Sequence, residues 1–208
     1  MLECGGRGLL LWNAPFDQRD HACRACLHAL DAGRRHRLTV AVATGPVVAT
    51  LAEAPGGERR YLAWGWAIEA AEALRRLAGV LEGATLACEE TIAAARGAVL
   101  ARELDLVCLG SRRDRFAVYQ VLGTPDELDR YRGLFEHYGR GLAAYRARRW
   151  RDGLEAFEQA VRANPGDRAA QVMAERCRRF VERPPGADWE PVTPLGLREA
   201  IEPREPAT

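Results

Sequence analysis

Lysine is missing from this chain. All 30 basic residues among its 208 are arginine. Schiff-base chemistry and lysine–phosphate contacts are excluded with it, and the arginine bias reads as genome composition. Long apolar runs are also missing: none approaches the ~20 residues that a membrane helix needs. The N-terminus shows no basic-then-apolar signal pattern, which points to a cytoplasmic chain with no membrane segment. Charge of one sign is lacking too. The formal net charge is +1, so no overall field draws the chain to nucleic acid or an anionic surface. Cys4, Cys23, Cys26, Cys88, Cys108 and Cys177 are scattered, several inside apolar segments. That suits reduced, buried thiols better than a disulfide framework.

Hydrophobic residues make up 48% of the chain, enough to bury a core in one medium domain or a small domain plus an appendage. Gly8 to Trp12 is a short apolar run that stops at Asn13-Ala14-Pro15 and reads as a buried strand. Asp17 to Ala32 has helical spacing, with Asp17 as N-cap. Leu38 to Thr44 and Val47 to Ala52 flank Gly45-Pro46 and read as a hairpin. Tyr61 to Trp64 reads as a strand and Trp66 to Ala78 as a helix. Strand Ala84 to Cys88, helix Glu89 to Arg96, an extended stretch Val99 to Leu109 and strand Phe116 to Leu122 follow. The alternation predicts an α/β or α+β sandwich with helices on one face of a mixed sheet.

From Pro125 onward the pattern holds no strand candidate. Asp126 to Ala147, Trp150 to Ala163 and Asp167 to Val181 read as helices, broken at Asn164-Pro165-Gly166. The Pro-containing tail reads as extended or mobile. The expected segments are 1–123, 127–183 and 184–208.

Three stretches, in order, resemble the class III adenylate/guanylate cyclase domain. The first is Leu9 to Pro15 with Asp20-His21-Ala22. The second is Thr44 to Thr50, then Arg60-Tyr61 and Gly65 to Leu74. The third is Leu104 to Gly110 with Phe116 to Gly123. The resemblance covers roughly residues 5–123. It implies a partial, N-terminally truncated ferredoxin-like cyclase sandwich followed by an α-helical hairpin. Within 127–183, the spacing of Gly141, Trp150, Gly153, Phe157, Ala160 and Pro165 is similar to one tetratricopeptide repeat. A single repeat cannot bury its own face. It must pack on Asp167 to Val181, on the upstream part or on a partner. Trp150, Phe157, Arg148 and Arg149 are its candidate interaction residues.

The family closes a cyclic phosphodiester by attack of a ribose oxygen on the α-phosphate, using two Mg²⁺ or Mn²⁺ held by two aspartates. An asparagine orients the ribose, and an arginine meets the transition-state charge. The site lies between two protomers, which implies a homodimer or a heterodimer with a cyclase-like chain. The first aspartate belongs upstream of Met1. The second falls at Gly6 when aligned on Trp12, or at Arg7 when aligned on the Gly-Gly pair. The asparagine corresponds to Glu69, the arginine to Ala73 and the purine-reading position to Leu62. Arg75 and Arg76 follow Ala73, but at about 100° per residue they turn off that helix face. One lost transition-state contact costs ~2.7–4 kcal/mol, and the metal ligands are lost as well. The resemblance therefore implies a pseudoenzyme with no cofactor of its own. Loss of the family's first strand also implies open apolar sheet surface and an unpaired edge.

Other motifs are weaker. His21, Cys23, Cys26 and His28 invite a zinc reading, but one CxxC on a helix, with no second pair, favours a structural role. Glu89-Glu90 reads as a solvated helix start, and Arg34-Arg35-His36-Arg37 as a solvated turn. Three functions stay open: a degenerate signalling homologue acting through its dimer face, a repeat-type interaction module with a vestigial upstream part, or a fragment of an active adenylate cyclase.

Overall fold

The computed structural model describes residues 2–4, 7–53, 57, 59–110 and 115–195. It starts with an antiparallel hairpin of β1 (Leu2–Cys4) and β2 (Arg7–Leu9), then α1 (His21–His36) and β3 (Ala41–Val42). A second hairpin joins β4 (Val48–Glu53) and β5 (Arg59–Trp64) and leads into α2 (Trp66–Val80). β6 (Leu86–Cys88), α3 (Glu89–Ala94), β7 (Leu100–Leu109) and β8 (Arg115–Gly123) complete the N-terminal part. After a 3-10 turn at Pro125–Glu127 come α4 (Leu128–Arg146), α5 (Trp150–Ala163), α6 (Arg168–Glu182) and β9 (Thr193–Leu195).

The fold is α+β, as expected. Among the described residues the main sheet has the order β3-β6-β8-β7-β9. β7 and β8 pair antiparallel along most of their length, β6 joins β8 antiparallel, and β3 and β9 are parallel edge strands. Helices cover both faces, not one. Leu86 and Cys88 pack with Ala70 and Leu74 of α2, while Ala87 between them packs with Cys26 and Leu30 of α1. Successive strand residues point to opposite faces, so α1 and α2 lie on opposite sides of the sheet.

Several local expectations fail for one reason: a strand needs a neighbour. Gly8 to Trp12 is not a buried strand of the main sheet. Only Arg7–Leu9 is extended, in its own hairpin, and Leu10 is 36% exposed. The hairpin across Gly45-Pro46 does not form. β3 pairs with β6, and Thr44 N–H donates to Cys88 Sγ at 3.4 Å, which ties the end of β3 to β6. β4 pairs instead with β5 in a six-residue register from Val48↔Trp64 to Glu53↔Arg59. Asp17 is not the cap of α1, which begins at His21 after Asp20. The stretch after Pro125 does hold a strand, because β9 adds to β7, and the tail is extended there. The Pro-containing tail beyond residue 195 lies outside the described residues.

The extension is the three helices that the sequence reads, with α6 packed on the α4–α5 hairpin. Gly141 lets α4 approach α5: a Cβ there would meet the Phe157 ring at 2.8 Å. Phe157 is fully buried and stands edge-on to Tyr138, with centroids 5.1 Å apart. Asn164-Pro165-Gly166 ends α5, and the Asp167 side chain accepts from Ala170 N–H at 3.2 Å to cap α6. Asp167 also receives both terminal nitrogens of Arg102 from β7, each at 2.6 Å, with both side chains 3% exposed. The Arg102 guanidinium lies 4.3 Å from the centre of the Tyr138 ring, whose hydroxyl donates to Leu104 C=O at 3.0 Å. One buried cluster runs from α2 through β6–β8 into α4–α6 and ends at Leu195. The repeat-like helices thus bury their faces on α6 and on the sheet.

Candidate functional site

Gly65 positions the start of α2. Its φ of 141° and the Pro46 carbonyl, 2.6 Å from where a Cβ would sit, leave room only for glycine. The turn sets Leu62 on β5 just before the helix and Glu69 in its first turn. Leu62 is 47% exposed and Glu69 is exposed, whereas Ala73, one helical turn on, is 3% exposed against the core. Arg75 and Arg76 both bond the Glu72 carboxylate, at 3.1 and 3.3 Å. Arg7 lies on β2, paired with Cys4, and Gly6 lies outside the described residues. This set holds one carboxylate, one buried methyl and one exposed aliphatic chain. It does not fit a pair of divalent ions, since Arg7 is itself a cation and neither Leu62 nor Ala73 carries a donor atom.

Of the candidate interaction residues of the extension, Trp150 and Phe157 face inward, while Arg148 and Arg149 stay exposed. Trp150 is 9% exposed and Phe157 is fully buried, so both hold this chain's own helices together. Arg149 pairs with Asp152 at 3.0 Å. Arg148 donates to the carbonyls of Pro185, Gly186 and Ala187 at 2.7–3.1 Å. These bonds bring the chain after α6 back over the α4–α5 turn. Trp189 then enters an aromatic box of Tyr145, Trp150 and Phe180, with centroids 5.3, 4.8 and 5.6 Å away. Asp105 accepts from Thr193 Oγ1 at 2.7 Å and from Arg176 at 2.9 Å, which fixes β9. Burial works against the Arg176 charge, but Asp105 outweighs it and the guanidinium pKa is pushed up. A lone tryptophan ahead of a Val-Thr-Pro-Leu run was the only sequence signal for this docking.

No protein-family model, curated protein or solved structure matches the chain.

The site's reading therefore rests on its own chemistry. Cys26 is fully buried between α1 and the sheet, and burial pushes its thiol up to about 12. Among the described residues, no three His, Cys, Asp or Glu side chains converge as a metal-binding group. Glu89 accepts from Ala117 N–H at 3.3 Å, so it joins α3 to β8. Arg34 is not merely solvated: it donates to Leu122 C=O at 2.8 Å and to Glu127 at 2.9 Å.

The β4–β5 hairpin leaves apolar side chains of both faces in water, Leu51 on one and Val48, Leu62 and Trp64 on the other. Val48 and Trp64 are directly opposed, as are Thr50 and Leu62, so their side chains share one face. On that face Val48, Trp64 and Leu62 are 55%, 53% and 47% exposed. A two-stranded hairpin standing alone is marginal in water, and an apolar face on it marks a contact surface.

Proposed function

We propose that the chain is a catalytically degenerate relative of the class III cyclase domain, acting in the cytoplasm as a dimerisation or regulatory module. The observation that carries this reading is the pairing of an α2 face that offers a carboxylate and a methyl at the family's amide and cation positions with an apolar hairpin beside it. Leu62, Glu69 and Ala73 hold the positions where the resemblance calls for a purine reader, a ribose-orienting amide and a transition-state cation. Of the resembling stretches, the third lies on β7 and β8 and the second runs from β4 through β5 into α2, whereas the first has only Leu9 on β2 and His21-Ala22 on α1. The partner is a second copy or a cyclase-like chain, seated on the Val48–Trp64 face.

The repeat-module alternative has less support. Its aromatic residues and Arg148 are occupied by this chain's own helices and tail. No helix among the described residues is long and apolar enough to cross a membrane.

Two measurements test the proposal. Purified protein with Mn²⁺ and either ATP or GTP is expected to make no cyclic nucleotide. Turnover that follows the purified chain would overturn the degenerate reading. Sedimentation at micromolar concentration is expected to show a dimer, or a heterodimer with a cyclase-like chain. A strict monomer in both settings would overturn the dimerisation role.

A further inference from the structure

The outer edge of β3 has no strand beside it among the described residues. On its inner side Leu86 N–H donates to Val40 C=O at 3.1 Å. Backbone groups alternate sides along a strand, so the peptide groups of Ala41 and Ala43 face away from β6. Next to that edge is a groove of about 350 Å³. It is bordered by Ala22, Ala25 and Ala29 of α1 and by Ala67, Ile68 and Ala71 of α2, with Gly8 to Ala14 as a further wall. Since α1 and α2 cover opposite faces, the groove continues the plane of the sheet between two helix layers.

We propose that this groove accepts one extended, uncharged apolar segment of a partner protein, added as a strand along β3. The peptide groups of Ala41 and Ala43 call for backbone donors and acceptors, which a peptide supplies and a lipid chain does not. Ile68 and Ala71 of α2 are partly open to the groove, while Ala22, Ala25 and Ala29 of α1 are already covered, so an incoming strand meets small apolar groups on both sides. Such a strand is apolar throughout rather than alternating. Among the described lining residues there is no Asp, Glu or Arg. A basic segment would lose its hydration there and find no carboxylate, and an acidic one would find only the imidazoles of His21 and His28.

The chain's own tail matches this lining poorly. Residues 196–208 start from β9, at the far edge of the sheet, with three strands between. They carry Arg198, Glu199, Glu202, Arg204 and Glu205, with Pro203 and Pro206 unable to donate to a ladder. In a second copy the strand β4 ends in Glu53 and is already paired along its length with β5. This inference stands apart from the cyclase reading, since it uses only an open edge and what lines it.

The test uses the full 208-residue chain and a fluorescein-labelled, end-blocked peptide, Thr-Val-Ile-Val-Ala-Val-Thr. Fluorescence polarisation is expected to show saturable binding, and hydrogen exchange to slow at residues 40–44. The same peptide with proline at alternate positions is expected to bind at least tenfold more weakly. Ala71→Arg, which puts a cation into the groove, is expected to weaken binding at least tenfold, while Ala71→Ser retains it. Equal binding of the proline peptide would overturn strand addition. So would protection that appears only outside 40–44, binding of oleate in the absence of any peptide binding, or no binding at all. If Ala71→Arg instead abolishes self-association, the occupant is a second copy and the proposal of a separate partner falls.

Discussion

The two ends of the main sheet differ in where charge is placed. At the β7–β9 end, charges are buried and paired: Arg102 with Asp167, and Arg176 with Asp105 and Thr193. At the β3 end the groove beside the sheet is lined without acids or arginines, and the nearby β4–β5 hairpin leaves apolar side chains in water. One end is closed by its own chain; at the other, β3 has no strand on its outer side among the described residues. Surface ion pairs are worth about 0–1 kcal/mol, so the many exposed pairs decide little. The buried pair decides more, because each partner would otherwise be a desolvated charge.

The sharpest way to break this comparison is Arg102→Ala. It leaves Asp167 buried and unpaired, removes the cation over Tyr138 and loosens the cap of α6. A loss of about 3–5 kcal/mol in urea unfolding is expected. Arg102→Met with Asp167→Leu, which removes both charges and keeps volume, should cost less than the single change. If the single change costs under about 1 kcal/mol, the pair is not what closes this end.

Trp189→Ala is next. The residue is half-buried, so the expected cost is about 1–3 kcal/mol, below that of a core aromatic. A readout specific to the tail is faster hydrogen exchange at residues 105–109, because β9 pairs with Val107 to Leu109. Unchanged exchange there would mean that Arg148 and the Asp105 network hold the strand without the tryptophan.

Alkaline pH acts on both ends alike. Cys26 lies in α1 and Cys177 in α6, and burial pushes each thiol up to about 12 from an ordinary value of 9.0. The folded state therefore keeps these protons after the unfolded chain has released them. Stability is flat below about pH 9 and falls as pH rises toward 12, by about 1.4 kcal/mol per thiol one unit above the unfolded value. Urea midpoints at pH 8 and pH 10 test this. Cys177→Ala should flatten the slope by one thiol's share.

The same contrast governs what could be read from the sequence. The bounds of α5 at Trp150 and Ala163, the break at Asn164-Pro165-Gly166 and the close approach at Gly141 were legible, because their signals lie within one or two helical turns. Pairing was not. Nothing near Ala41 says that β3 joins β6 rather than β4, and nothing near Thr193 says that β9 crosses to β7, since partners some 45 to 86 residues away decide both. The inward turn of Trp150 was hidden for the same reason: its box is closed by Trp189, from beyond the last helix. Leu62, Glu69 and Ala73 were named through a resemblance. Their local chemistry was legible, but the burial of Ala73 and the exposure of Leu62 depend on how α2 and the hairpin meet the sheet.

The smallest expected change in stability falls on the most exposed residues, and that makes it the most informative about function. Leu62→Ser and Trp64→Ser alter side chains about half in water, so each should shift unfolding by no more than about 0.5 kcal/mol. If the Val48–Trp64 face is a dimer contact, the same changes remove aromatic and aliphatic area from its centre, and truncation of such anchors costs 2 kcal/mol or more of binding. Sedimentation should then show at least a tenfold rise in the dimer dissociation constant with little change in melting. The opposite result, a large loss of stability and unchanged association, would make the hairpin part of the fold's own support. Together with an undisturbed β3 groove in the same variants, the first result would separate two contact surfaces at the β3 end of the sheet.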